Sequence, residues 1–83
     1  MEKEGRFQTR DLYLGAAVSL ITGLNSNCEL DDKGKVFFVF PEDERVWKAV
    51  MSYHAGAVCV VSEYVERVKA LRSAMFAARG PSR

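Results

Sequence analysis

Residue types on which many enzymes and metal sites depend are scarce in this 83-residue sequence, which contains two cysteines and one histidine. Two cysteines are too few for the disulfide framework of a small secreted domain, and the spacing of Cys28, His54 and Cys59 fits no zinc motif. No third, orienting group accompanies them in a recognisable signature of nucleophilic catalysis. We therefore expect no metal ion and no cofactor, with Cys59 packed in the core and His54 partly exposed near a helix end.

Long apolar runs are also missing from the chain. The longest apolar segment, residues 12–24, is interrupted by four small or polar residues and is too short to span a bilayer. Residues 1–6 mix acids with bases and precede no apolar stretch of the kind found in signal peptides. These features predict a protein of the reducing cytoplasm that does not enter a membrane.

Phosphate-binding loops and acid–base pairs are the remaining chemical signatures, and the sequence supports neither. The six glycines stand singly, so there is no glycine-rich phosphate loop. The acidic cluster Glu42-Asp43-Glu44 could hold Mg²⁺ or supply a general acid and base, but it follows Pro41 at a predicted helix start, where acids complement the helix dipole. We therefore predict that the protein is not an enzyme and has no small-molecule ligand.

A strong excess of either charge is absent too, since the net charge is +1 and the isoelectric point is about 7.8. The charges are nevertheless segregated along the chain. Residues 28–45 carry six acids and three bases, a net charge of −3, whereas residues 61–83 carry five bases and two acids, a net charge of +3. The whole-molecule field therefore does not attract nucleic acid, but a local basic face in the last part of the chain could.

The most informative stretch that is present is Val36-Phe37-Phe38-Val39-Phe40, five β-branched or aromatic residues followed by Pro41. Such a run predicts a strand that is covered on both faces. Residues 28–31 alternate apolar and polar side chains, and Asp32-Lys33-Gly34 has the composition of a hairpin turn. If Asp31 faces Lys35, then Leu30 pairs with Val36 and Cys28 with Phe38.

This register gives the predicted hairpin two unequal faces. The apolar face carries Cys28, Leu30, Val36, Phe38 and Phe40, and the other carries Glu29, Asp31, Phe37 and Val39. Phe37 and Val39 would then lie beside two acids on the side away from the core. Either residues 1–8 with Phe7 cover this face, or a second molecule does.

Three helices are predicted around the hairpin. The first begins at a Thr9 cap and is largely buried, with Asp11, Gly15, Ser19 and Thr22 as its single narrow wet stripe, and the second follows the acidic cluster and ends at Gly56. The third is capped by Ser62. Residues 57–61 are a further buried-strand candidate, although period alone cannot separate strand from helix there.

The expected fold is therefore α+β, in the order α-β-β-α-β-α, with a small two- or three-stranded sheet built on the hairpin and covered by three helices. In this order residues 36–61 would form a right-handed crossover unit. Residues 7–79 are expected to be a single domain, and residues 1–6 and 80–83 are expected to be mobile ends.

The opening Phe7, Thr9, Asp11, Leu12, Tyr13 and Leu14 resembles that of a family of short bacterial and phage proteins known only as a domain of unknown function. The likeness continues through Gly23, the strand 36–40, the acidic helix start, Tyr53 with Gly56, and a last helix with Leu71 and Phe76. It spans roughly residues 7–78. The resemblance implies a small α+β fold and a bacterial or phage setting, but it supplies no functional residues.

Two surfaces are candidates for function. The first is the hairpin face with Phe37 and Val39, which predicts a non-enzymatic interaction module that forms a homodimer or binds a protein partner. The alternative is a nucleic-acid-binding accessory protein that uses the basic face of the last helix, where Phe76 lies among the basic side chains. The residues of this second candidate are Arg67, Lys69, Arg72 and Arg79.

Overall fold

A computed structural model describes residues 6–80 and shows three helices and a three-stranded antiparallel sheet, which confirms the predicted α+β class. The elements are β1 (Phe7–Thr9), α1 (Leu12–Thr22), β2 (Asn27–Leu30), β3 (Val36–Phe40), α2 (Glu44–His54) and α3 (Val61–Arg79). The predicted mobility of the chain ends falls almost wholly on residues 1–5 and 81–83, which lie outside the described range.

The central strand is β3, with β1 on one side and β2 on the other. The predicted hairpin register is confirmed, because Cys28 pairs with Phe38 and Leu30 with Val36. Asp31 holds the turn closed: its carboxylate accepts the backbone N–H of Lys33 at 2.8 Å and that of Lys35 at 2.9 Å. The turn requires a positive φ at this position, and Gly34, which has no Cβ, adopts a φ of +82°.

The third strand is β1, and not residues 57–61 as the sequence suggested, so the order is β-α-β-β-α-α and there is no crossover unit within residues 6–80. Phe7 pairs with Phe40, and its ring also packs nearly perpendicular to the Trp47 ring, with the two ring centroids 5.4 Å apart. A three-residue strand has too little pattern to be visible in the sequence, and β3 stabilises it by pairing.

The start of α1 also differs from the expectation. Asp11, rather than Thr9, is the N-cap, and its carboxylate accepts the backbone N–H of Tyr13 at 2.9 Å and of Leu14 at 3.2 Å. The Thr9 hydroxyl instead accepts the N–H of Asp11 at 3.0 Å. Thr9 belongs to β1, so the chain passes from strand to helix within two residues.

All three helices pack on one side of the sheet, and α1 lies in contact with both α2 and α3. As predicted, α1 is largely buried, with six consecutive buried residues from Leu14 to Ser19. The buried apolar side chains are Leu14, Ala16, Ala17, Val18, Val36, Phe38, Val39, Phe40, Val46, Ala49, Val68 and Leu71. All of them except Ala17 and Val39 form one core between β3 and the helices.

Gly15 and Ser19, which were expected on a wet stripe of α1, lie on its most crowded side. A Cβ added to Gly15 would lie 3.1 Å from the Leu71 side chain and 3.6 Å from Phe38. The missing side chain therefore allows α1 to approach β3 and α3 closely. The helix's exposed side chains are instead large ones, Tyr13 and Ile21.

We predict that Gly15→Leu destabilises the protein. The added side chain has to displace Leu71 and Phe38, and overpacking of this kind costs about 1–3 kcal/mol, which exceeds the roughly 1 kcal/mol that leucine gains over glycine in helix propensity. Urea unfolding followed by circular dichroism measures the difference. Ala70→Leu, at an exposed site of α3, is the matched control and should leave the midpoint nearly unchanged. A Gly15→Leu variant as stable as the wild type would contradict the close packing.

The N-cap of α2 is Asp43, whose carboxylate accepts the backbone N–H of Arg45 at 2.8 Å. The Arg45 guanidinium also donates to it at 3.0 and 2.7 Å. These hydrogen bonds lower the pKa of Asp43 from 3.8 to about 2, and those from the guanidinium have the largest effect. The acidic cluster of the sequence is thus a helix cap, and Glu44 pairs with Lys48 one turn along.

We predict that Asp43→Ala is less stable than the wild type at pH 7 and that this difference disappears in acid. Because the pKa is lower in the folded protein, the cap contributes fully above about pH 4, and its contribution is lost as the pH falls through about 2. Urea midpoints at several pH values measure the gap. Glu42→Ala, which removes a neighbouring exposed carboxylate, should show no such gap. A constant difference down to pH 2 would argue against the assignment.

Candidate interaction surfaces

The outer face of the sheet does not present the predicted patch of Phe37 and Val39. Val39 is only 3% exposed, so it cannot be a contact residue on the surface. It lies between Gln8 and Asn27 in the pairing of the three strands, and an ion pair of 3.1 Å between Arg6 and Glu29 links the two edges of the sheet.

Phe37 is half-buried, and the guanidinium of Arg10 lies 5.9 Å from its ring centroid. The outer face is therefore covered from within the chain by side chains next to the edge strands. Phe7, the expected cover, points to the opposite face and packs against Phe40. The sequence could not show this, because β1 was not recognisable as a strand.

The apolar segment after α2 is the largest departure from the sequence prediction. Residues 57–60, which we call the connector, form neither helix nor strand. Val58 is 95% exposed, Val60 is 56% exposed, and Val61, which follows at the start of α3, is 73% exposed. Both sides of β3 are already occupied by β1 and β2, so the connector has no place beside the central strand.

A shallow apolar groove of about 140 Å³ lies between the connector and α1. It is lined by Ala17, Leu20, Ile21, Tyr53, Ala57, Val58, Cys59 and Tyr64. None of these side chains is charged. One wall is held in place by the Tyr64 hydroxyl, which donates to the Tyr13 carbonyl at 2.9 Å. We call the groove together with Val60 and Val61 the apolar surface.

The helix that leaves this surface begins without a side-chain cap. The N-cap of α3 is Val60, and not Ser62 as predicted, and no side chain accepts the N–H groups of its first turn. Valine is among the poorest N-cap residues. The start of α3 therefore lacks the usual stabilising N-cap within an exposed apolar segment. Departures of this kind from local stability are common at functional sites.

We predict that Val60→Ser stabilises the isolated fold by about 1 kcal/mol and raises Tm by about 4–8 °C. The backbone of Val60 is already extended, and Glu63 is placed to complete a capping box with a serine at position 60. Thermal unfolding at low protein concentration measures the gain. Val61→Ser is the control, since it adds the same hydroxyl one residue inside the helix and should give no gain. Equal Tm values for Val60→Ser and the wild type would contradict the uncapped start.

The basic residues of α3 do not all belong to one surface, because Arg67 is engaged within the chain. Arg67 donates to the Ser19 hydroxyl at 2.7 Å, and that hydroxyl donates to the Leu24 carbonyl at 2.8 Å. Ser19 is 1% exposed, so Arg67 is a packing residue that binds α3 to α1. Lys69, Arg72 and Arg79 remain exposed.

Arg79 lies in a cleft with Arg10 and Lys35, two residues that the sequence did not single out. They come from the end of β1 and from the residue before β3, and α3 brings its last turn to the same place. Only the folded topology joins three basic residues so far apart in the chain. A search of the sequence for clustered charge could not find them.

Cys28, His54 and Cys59 are not gathered into a site. Cys59 is exposed in the connector, contrary to the expectation that it is packed, and His54 is exposed at the end of α2. Cys28 is half-buried on β2, and burial raises the pKa of its thiol. Within residues 6–80, no three histidine, cysteine or acidic side chains lie close enough together to hold a metal ion.

None of the helices in the described part of the chain combines the length and apolarity needed to cross a membrane. Comparison with models of protein families, with curated proteins and with solved structures found no match to this chain. The resemblance to the bacterial and phage family of unknown function therefore stays a prediction.

Proposed function

We propose that this protein is a small, non-enzymatic interaction module of the cytoplasm that associates with a second copy of itself through the apolar surface. The observation that carries the proposal is the connector, where Val58 is 95% exposed beside an apolar groove. The earlier candidate, Phe37 with Val39, is replaced, because Val39 is covered within the chain.

Three exposed valines lie in the connector and at the start of α3. Fully burying a valine side chain is worth about 1.5–3 kcal/mol, which is a large fraction of the stability of a small domain. In the isolated chain, Val58, Val60 and Val61 gain little of this. An apolar patch that is continuous with a groove is typical of a binding surface, whereas scattered exposed residues are not.

A second copy is the occupant that we propose, since an uncharged apolar surface can meet the same surface of another copy. Its groove carries no charge, so two copies can meet without repulsion. Val58 and Cys59 make no backbone hydrogen bond with any other described residue, so two connectors have free N–H and C=O groups to exchange. A two-fold axis brings the same patch of each copy together, which is the commonest arrangement of homo-oligomers.

We predict that the wild type is a dimer and that Val58→Asp makes it a monomer, with a Kd for self-association raised at least about 100-fold. Two valines leave the interface and two carboxylates face each other across it. Sedimentation equilibrium over a range of concentrations measures the effect. Because Val58 touches almost nothing in the isolated chain, the substitution leaves the fold intact, and circular dichroism checks this.

Ser73→Asp is the matched control, since it adds the same charge at an exposed site of α3 away from the connector and should leave the dimer unchanged. A bis-maleimide cross-linker offers a second test in the Cys28→Ser background, where Cys59 is the single thiol. Two connectors that meet at a two-fold axis bring the two Cys59 thiols within reach of the reagent. A wild type that sediments as a monomer and gives no cross-linked species would refute the proposal.

The absence of an enzymatic role and the bacterial or phage origin are parts of the same proposal. The first is supported by the composition, which is poor in catalytic residue types, and by a groove whose polar groups are two tyrosine hydroxyls and one thiol. The second is supported by the resemblance of residues 7–78 alone. The cytoplasmic location is supported by the two cysteines, which are free thiols in the structure.

A further inference from the structure

Three basic side chains line a cleft of about 240 Å³ at the end of the molecule opposite the connector along α3. Arg10 follows β1, Lys35 precedes β3, and Arg79 is the last residue of α3. The cleft is completed by Gly34, Val36 and Met75. A site built by three distant parts of the chain is held in shape by the fold, unlike a run of charges on one flexible segment.

None of these three cations forms an ion pair with an acid of the described chain. The ion pairs within residues 6–80 are Arg6 with Glu29, Arg45 with Asp43, and Lys48 with Glu44, and none of them involves the cleft. One carboxylate is near, that of Asp31, which accepts hydrogen bonds from the backbone N–H groups of Lys35 and Lys33 and offsets one of the three positive charges. These hydrogen bonds, and the charges of Lys35 and Arg10, lower its pKa. The cleft therefore keeps an excess of positive charge.

The cleft continues into a row of exposed side chains along α3. Lys69, Arg72, Phe76 and Arg79 stand three or four residues apart, so they share one face of the helix. The row is about 15 Å long, from the rise of 1.5 Å per residue. Three basic side chains and one aromatic ring thus form a line that ends in the cleft.

Two aromatic rings accompany these cations. The guanidinium of Arg79 lies 6.0 Å from the ring centroid of Phe76, which is more than half exposed, and that of Arg10 lies 5.9 Å from the ring centroid of Phe37. The unpaired bases of a single strand stack on aromatic rings and on arginine planes. A duplex, whose bases are already stacked, cannot use these rings.

We propose that the cleft binds a phosphate of single-stranded nucleic acid, whose backbone then follows the basic row of α3 while a base stacks on Phe76. This surface differs from the basic face that the sequence predicted: Arg10 and Lys35 join it, and Arg67 leaves it because it is bound to Ser19. It is also separate from the apolar surface, so one protein can use both.

Fluorescence anisotropy with a labelled single strand of about 12 thymidines tests the proposal, and a uridine strand of equal length extends it to RNA. One phosphate in the cleft and one at each of Lys69 and Arg72 make three contacts, so log K is expected to fall with log salt with a slope of about −2. The double variant Lys35→Gln with Arg79→Gln is expected to bind at least about 10-fold more weakly at about 50 mM salt, with the slope reduced by about 0.7 because the cleft phosphate is lost. Phe76→Ala is expected to weaken binding without changing the slope.

The matched control is Arg45→Gln with Lys48→Gln, which removes two positive charges from α2 and should leave the affinity unchanged. Equal losses for the two double variants would overturn the proposal, since only net charge would then matter. Binding of inorganic phosphate in the cleft with no binding of either strand would also overturn it, as would tighter binding of a duplex of the same length.

Failure of this proposal can be told apart from failure of the proposed dimer. The Val58→Asp variant keeps the cleft and the basic row, which are at the other end of α3, and it is expected to bind the single strand with the affinity of the wild-type protomer. The Lys35→Gln with Arg79→Gln variant is expected to sediment like the wild type.

Discussion

The close approach of α1 to β3 and α3 is the constraint on which the rest of the structure depends. Gly15 makes it possible, because the space of its missing side chain is filled by Leu71 and Phe38. The helix can then be buried along six consecutive residues, and a small domain obtains one continuous core. The contact also fixes α3, which is further held by the hydrogen bonds from Arg67 to Ser19 and from Tyr64 to Tyr13.

Placing all three helices on one side of the sheet has a consequence for the other side. Because no helix of residues 6–80 covers it, the outer face is closed by side chains on and next to the edge strands, including Gln8, Asn27 and the pair of Arg6 with Glu29. Three short strands are enough for this, since a single apolar residue, Val39, has to be covered completely. The hairpin face that the sequence predicted to be an interaction surface is thus covered by side chains of the same chain.

The exposed apolar residues lie at the start of α3, and the basic cleft lies at its end. The helix has 19 residues and is about 28 Å long, so the two surfaces are well separated. A small protein that both pairs with itself and carries a basic cleft in each copy would present two clefts on one symmetric particle. Two linked sites bind a polymer more tightly than either does alone, provided that the polymer can reach both.

The sequence alone determined the α+β class, the three helices, the hairpin and its register, because these depend on local patterns: an unbroken apolar run, alternation, turn residues and helical spacing. It did not reveal β1, since three residues carry no usable period, and it did not show that residues 57–60 lack a partner. Whether an apolar segment such as this becomes a strand depends on a free neighbouring edge. The tertiary structure alone decided which residues are free to function: it buried Val39, engaged Arg67 and exposed Val58. It also joined Arg10, Lys35 and Arg79, because contacts between distant parts of a chain are formed by packing and leave no periodic trace in the order of its residues.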